Sequence, residues 1–418
     1  HNSMNDKYLN DKKSFELLKD GFKQIGIKND IIEQIFNTIK IIVYLGEFPN
    51  YANKVSEYFN MKEEEYIFMM GNQKIQVNGE DIFKKLSDEQ VKVRLDSVAR
   101  LLYSELFNYI VKNINNYLHC GKYDKNINIL DIFGFEVFKK NSLEQLCINY
   151  TNEKLQNLFN EYIFNKEQDL YKNEGLDVES VYFENNDETL NLIEGAKNIL
   201  YKINEVSSFI RGKDKQIIDS IYKINSKHLL LDNLKKANNI FTINHYAGTV
   251  EYNVNNFISK NKNKIDADLV NFLNNKKLFY LDELTITKSK VIHVFKKSLN
   301  NLVNYIKKTD LHFIRCIKPN DNNLPNNFDD MRILEQLKYN GVVEAVRVSR
   351  SGYPIRFNYS EFMKEYNYIK YEDLIIIGKT KYFLTKDNFN KLDNRRINKL
   401  NDMAIIIQKN IRKILQLG

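Results

Sequence analysis

A mixed, helix-rich α/β fold is what this sequence predicts, and three stretches carry the prediction. The pattern S-D-E-Q from Ser87 is a capping box, and it opens a run whose apolar positions Val91, Leu95, Val98, Leu102, Leu106 and Tyr109 recur every three or four residues. That is the spacing of one helix face. The run NILDIFGFEVF, residues 128–138, begins as a short apolar strand and turns abruptly acidic. The run FTINHYAGTVEY, residues 241–252, combines Thr, Val and Tyr with a central Gly248, as a hairpin or bent strand does.

At 418 residues the chain exceeds one ordinary core, so several subdomains are expected. Residues 14–46 place Phe15, Leu18 and Phe22, then Ile31, Ile35, Ile39 and Ile42 at helical spacing, which predicts two helices separated near Gly26. The Ser87 helix should end near Leu118. After the 128–138 strand, Leu143, Leu146, Tyr150, Leu155, Leu158, Phe159 and Tyr162 predict a second long helix to about Leu170. Short helices and the hairpin fill 176–290. HFIRCIKPN, residues 312–320, predicts a short buried strand stopped by Pro319. Two helical stretches between Asp329 and Ser351 meet near Gly341 and end at Gly352 and Pro354. A small α+β unit to about residue 390 and a basic amphipathic helix complete the chain.

Composition narrows the function classes. With 43% hydrophobic residues the chain can build cores, and 62 basic against 54 acidic residues leave a net charge of +8. That excess is thinly spread and accompanies no RRM, helix-turn-helix or finger pattern, so nucleic acid is not the expected partner. An acidic protein surface suits it better. The longest apolar runs, Leu374–Ile377 and Ile405–Ile407, are too short to span a bilayer, and the N-terminus lacks a basic-then-apolar signal. A soluble cytoplasmic protein without a transmembrane segment is the expectation. Cys120, Cys147 and Cys316 show no CxxC or CxxH spacing, so buried thiols are expected rather than disulfides or a zinc site.

The chemistry concentrates in DIFGFE, residues 131–136. A strand-terminal Asp followed by DxxG is an arrangement that phosphate-handling folds use: the carboxylate holds magnesium through water, and a glycine lets a bare amide approach the terminal phosphate. A following Glu cannot face phosphate without repulsion, so it needs a cation partner. The pair then orients an attacking water.

DIFGFE followed by NSLEQLCINYTNEKLQNLFNEYIF resembles the second switch and relay helix of the myosin motor domain. The same family pattern is found in FTINHYAGTVEY, HFIRCIKPN, ILEQLKYNGVVEAVRVSRSGYPIRF, GKTKYFL at 378–384 and the IQ-type ending IIIQKNIRK. The resemblance covers essentially the whole chain and implies a P-loop-related myosin head that lacks its N-terminal side. It implies an actin-activated motor using ATP and Mg2+, with a non-catalytic actin-binding or scaffolding protein as the alternative. Asp131 would lie in the second shell of the magnesium, Gly134 would donate to the γ-phosphate, and Glu136 would pair with a first-switch arginine. Asp131, Ile132, Phe133 and Gly134 would line the nucleotide. The implied divisions are the upper actin-side subdomain at 1–126, then 127–325 with the second switch, relay helix and lower actin-binding subdomain. Paired thiol-type helices follow at 326–352, the converter at 353–396 and the lever helix at 397–418.

The departures from the family pattern are equally specific. No GxxxxGK[ST] and no first-switch arginine segment occurs, so the chain is expected to be the C-terminal part of a head and inactive alone. The two reactive-thiol positions fall on Tyr339 and Ser349, and Asn263 stands where the family usually has an acid. For the actin filament, the resemblance implicates Lys288, Lys290, Lys296 and Lys297, together with the tip RGKDK carrying Arg211 and Lys213. For a calmodulin-like light chain it implicates Ile407, Gln408, Ile411, Arg412 and Leu415. Cytoskeletal association follows from the same resemblance.

Overall fold

The computed structural model describes residues 11–77, 80–119, 121, 125–176, 185–209, 211–262, 266–281, 284, 289–322, 324–343, 346 and 352–416. They fall into two units, 1–130 with 262–289 and 131–261 with 290–418. The segment 262–289 therefore packs with the first unit, although in sequence it lies amid the second. No helix among the described residues is long and apolar enough to cross a membrane.

In the first unit, helices α1 (Asp11–Gln24) and α2 (Asn29–Leu45) are separated at Gly26 as the periodicity predicts, and α3 (Ala52–Tyr58) and α4 (Glu63–Gly71) follow. Strands β1 (Asn72–Val77) and β2 (Glu80–Lys85) pair antiparallel, with Ile75 opposite Ile82. Helix α5 (Asp88–Leu118) begins where the capping box places it: the Ser87 N–H donates to Gln90 Oε1 at 3.0 Å and the Gln90 N–H to Ser87 Oγ at 3.4 Å. Ile35, Leu45, Phe59, Tyr66, Val98 and Leu102 form the core together with Leu269 and Leu273 of a later helix, Ala267–Lys276 (α12 in chain order). Burial of each such aliphatic side chain contributes roughly 1.5–3 kcal/mol. Arg94 lies buried in this core, with Nη1 and Nη2 each 2.5 Å from a carboxylate oxygen, of Asp266 and Asp268 respectively. A charge there persists because it is paired.

The second unit is built on α6 (Leu143–Asn173). Around its first half lie α7 (Asp187–Glu194), α8 (Ile199–Ser207), α9 (Asp214–Ile221), β3 (Leu229–Leu230), α10 (Asn233–Ala237), β4 (Ile240–His245), β5 (Gly248–Asn253), α11 (Phe257–Asn261) and α13 (Val291–Ile306). The strands form a sheet in the order β3-β4-β5, and the predicted hairpin is present with Tyr246 and Ala247 as its turn. Helix α14 (Asp330–Tyr339) is capped by Asp329, whose Oδ1 accepts the Arg332 N–H at 3.0 Å. The second of the paired helices lies largely outside the described residues, with Ser349 and Asn263. Strands β6 (Ile355–Asn358), β7 (Ile376–Ile377) and β8 (Lys381–Leu384), with α15 (Tyr359–Tyr366), enclose a small core of Phe362, Tyr366, Leu374, Leu384 and Leu392. Helix α16 (Lys386–Gln416) starts five residues earlier than the sequence pattern suggests and runs on unbroken.

Two predicted strands are not strands. Residues 125–138 run without ladder pairing, and Ile127 is 96% exposed. Residues 312–318 are likewise unpaired, with Ile314 83% exposed and Cys316 on the surface rather than buried. A strand is stabilised through its neighbours' amides and carbonyls, and apolar composition cannot supply those. The alternation of a strand survives in part: Phe313 packs on Phe159 and Tyr162 of α6, with ring centroids 4.7 and 5.7 Å apart, while Ile314 points away.

Candidate functional site

The DIFGFE segment is held at alternate points and open between them. Phe135 is its buried anchor, with ring centroids 5.2 Å from His245, 5.5 Å from Tyr246 and 5.7 Å from Tyr339. Helix α6 holds the backbone on either side. Asn152 Nδ2 donates to the Phe133 carbonyl at 3.0 Å, and the Glu136 N–H donates to Asn149 Oδ1 at 2.8 Å. Asn141 closes the far end, accepting the Phe138 N–H at 2.8 Å and donating to the Glu251 carbonyl of β5 at 3.0 Å. Its own carbonyl takes the Asn253 N–H at 2.9 Å.

Asp131, Ile132 and Phe133 face outward. A Cβ added at Gly134 would meet nothing within 4 Å, so no crowding inside this chain requires glycine there. The Glu136 side chain is half-buried, with Gln145 Nε2 3.4 Å from Oε2. The three expected catalytic residues therefore share one loop, anchored to α6 through its peptides, with Asp131 exposed and the Glu136 carboxylate held by Gln145 alone among the described contacts.

Sequence periodicity missed a second stripe on α6. Asn149, Glu153, Gln156 and Asn160 recur at spacings of four, three and four, and all are buried. Counting apolar positions alone hides such a face. Gln156 meets the chain at Gly341, where φ is +67° and a Cβ would approach Gln156 Oε1 to 1.9 Å. A larger residue is excluded there by both conformation and space. One residue pair away, the Tyr246 hydroxyl donates to the Tyr339 carbonyl at 2.8 Å, joining the hairpin turn to α14.

The far end of α6 grips the 353–384 module. Its last carbonyls are closed by the Gly175 N–H on Lys172 and the Leu176 N–H on Tyr171, the bond pattern of a Schellman motif. Tyr171 Oη accepts the Tyr353 N–H at 3.0 Å, and Arg356 pairs with Glu167. Glu174 takes the Thr380 N–H at 2.8 Å, and its carbonyl takes the Lys379 N–H at 3.0 Å. The hydroxyl and amide of Thr380 hold the Glu174 carboxyl below its ordinary value. Gly378 fits because a Cβ would stand 2.7 Å from Glu174 Oε2 and 2.8 Å from a Phe383 ring carbon.

The basic candidates divide. Arg211, Lys213 and Lys297 are exposed, whereas Lys290 is engaged by the Asn204 carbonyl and Ser208 hydroxyl, and Lys296 donates to the Glu194 carbonyl at 2.6 Å. Lys288 lies outside the described residues. Burial would raise the Glu194 carboxyl, but bonds from Lys154 and Tyr150 outweigh it and leave it lowered. Cys147 is an inert core thiol, pushed up to about 12 by burial and the nearby Glu144. On α16, Leu392 is buried, while Ile407, Gln408, Ile411, Arg412 and Leu415 are all exposed.

Comparison with known proteins places this geometry. The family model for the myosin head (motor domain) matches residues 2–395. The chain is 34% identical to Myosin-2 of Arabidopsis thaliana over 86% of its own length and 32% of that protein. It is 32% identical to Myosin-52 of Schizosaccharomyces pombe over 86% of the chain and 26% of that protein. Against the Myosin-I heavy chain of Dictyostelium discoideum it is 30% identical over 96% of the chain and 20% of that protein. The chain thus spans about a third or less of these curated relatives. A match that runs from the outward-facing DIFGFE loop through α6 to the module α6 grips, at this identity and over nearly the whole chain, means that the chain belongs to the myosin head family.

Proposed function

We propose that this chain is the part of an actin-activated, ATP-hydrolysing motor that senses the terminal phosphate and passes its state to a lever. The observation that carries the reading is α6 itself. One 31-residue helix, roughly 45 Å at about 1.5 Å per residue, is bonded at its start to the Glu136 peptide and at its end to Thr380. ATP with magnesium, when bound, would supply the phosphoryl group and the charge that this loop faces. Asp131 would face the magnesium through water, and Gly134, exposed and with no side chain, would offer its N–H to a phosphate oxygen. The carboxylate of Glu136 keeps one long contact, from Gln145 Nε2 at 3.4 Å, and would take a cation partner beside it. No GxxxxGK[ST] occurs in the sequence, so these residues supply one face of a nucleotide site that a P-loop-bearing segment completes.

For the filament, Arg211, Lys213 and Lys297 are the available basic contacts, and Lys290 and Lys296 serve their own unit first. Attraction between exposed charges is screened over about 10 Å at about 0.1 M salt, so filament affinity should fall as salt rises. The bare face of α16 supports a calmodulin-like subunit. Its isoleucines would enter an apolar groove and Arg412 and Lys413 would meet an acidic rim.

The test is ATP turnover by the 418-residue chain alone and after joining to a P-loop-bearing myosin segment. Turnover only in the joined form, stimulated by filamentous actin, is the expected result. Magnesium-dependent turnover by the chain alone would refute it.

A further inference from the structure

We infer that Asn149, Tyr252, His245 and Glu153 form one positioning set that holds the Glu136 peptide in a single register. Asn149 is fully buried; its Oδ1 accepts the Glu136 N–H at 2.8 Å, and its Nδ2 donates to the Glu136 carbonyl at 2.8 Å. This double contact fixes which way the amide points. The second Nδ2 hydrogen goes to the Tyr252 hydroxyl, 2.9 Å away. Tyr252 then has one hydrogen to give, and His245 Nε2 stands 2.9 Å from it. His245 must therefore carry its hydrogen on Nδ1, which faces Glu153 Oε2 at 2.9 Å. The other Glu153 oxygen takes Asn186 Nδ2 at 2.7 Å.

Reversing any link sets two donors or two acceptors against each other, or leaves a buried hydroxyl without an acceptor. The series therefore has one consistent arrangement, and it includes the peptide of Glu136. Asn149 and Glu153 stand one turn apart on α6, while His245 of β4 and Tyr252 of β5 meet through their side chains. A shift of the DIFGFE loop away from α6 would leave Asn149 Oδ1 and one of its two Nδ2 hydrogens unpaired in the core. Tyr252, His245 and Glu153 act through Asn149 and are positioning residues. That their effect reaches hydrolysis rests on the role proposed for Glu136 above.

The experiment is backbone hydrogen exchange on the nucleotide-free 418-residue chain and its Tyr252→Phe variant. Loss of the hydroxyl should speed exchange at the Glu136 amide about tenfold, the factor expected for one buried hydrogen bond, with Ile243 and Val250 changed less than about twofold. Unchanged exchange at Glu136, or an equal rise at all three sites, would overturn the inference. A readout on the unaltered chain stands if the variant fails to fold: ¹⁵N shifts of His245 should show a protonated Nδ1 and a bare Nε2, and the opposite tautomer would overturn it. In a joined, P-loop-bearing head, Tyr252→Phe should lower kcat and leave the KM for ATP unchanged. Unchanged kcat beside faster Glu136 exchange would keep the positioning set and overturn the role of Glu136.

Discussion

Glu174 and Thr380 meet through both carboxylate oxygens, one taking the threonine hydroxyl and the other its amide at 2.8 Å. This joint lies at the end of α6 opposite the Glu136 loop. Glu174→Gln and Thr380→Val should each loosen it, and a double-mutant cycle should return a coupling of about 1 kcal/mol. Additive effects would show that the two side chains act independently. In a joined head the same pair of changes should preserve ATP turnover while reducing filament sliding speed.

Arg94 is a buried charge in the first unit, paired with Asp266 and Asp268. Arg94→Met keeps volume but leaves the partly exposed Asp266 and Asp268 without their cation, and losing hydrogen bonds to a charged group typically costs about 1.5–3 kcal/mol. Denaturant titration should show that loss. A triple change that also makes Asp266 and Asp268 into asparagines should recover most of it.

Asp373 sets a pH dependence in the small module. Its carboxylate meets Arg395 of α16 at 2.7 and 2.8 Å, and that bond lowers its pKa to about 2. A depressed carboxyl stabilises the fold above its unfolded pKa of about 3.9 and loses that contribution as the pH falls toward the folded value. The α16 anchor should therefore hold at neutral pH and release between about pH 4 and about pH 2. Amide exchange of residues 386–396 followed across that window would show it, and Asp373→Asn should remove the dependence.

Glu136→Ala in a joined head should abolish hydrolysis and leave ATP binding within a few fold, because the carboxylate closes the site rather than holding the nucleotide. Parallel loss of binding, read with a fluorescent nucleotide, would assign Glu136 to nucleotide retention instead.

On α16, Ile407→Asp combined with Arg412→Glu should release a copurifying calmodulin-like subunit, detected as a mass change in size-exclusion light scattering. A subunit that stays bound through both changes would place its seat elsewhere.

The sequence by itself determined the elements whose signals are local. The capping box at Ser87, the apolar spacing along α5 and α6, the break at Gly26 and the two-residue hairpin turn all act within a few residues, and each is present in the fold. The DIFGFE loop was legible for the same reason, as its acids and glycine are neighbours in the chain. Tertiary structure decided what distance in sequence conceals. The runs at 128–138 and 312–320 read as strands, but a strand is made by partners that composition does not contain, and neither run joins a ladder among the described residues. Lys290 and Lys296 read as free charges until the fold brought Asn204 and Glu194 to them. The buried line from Glu153 through His245 and Tyr252 to Asn149 exists only because a helix and a hairpin nearly a hundred residues apart enclose the same small volume.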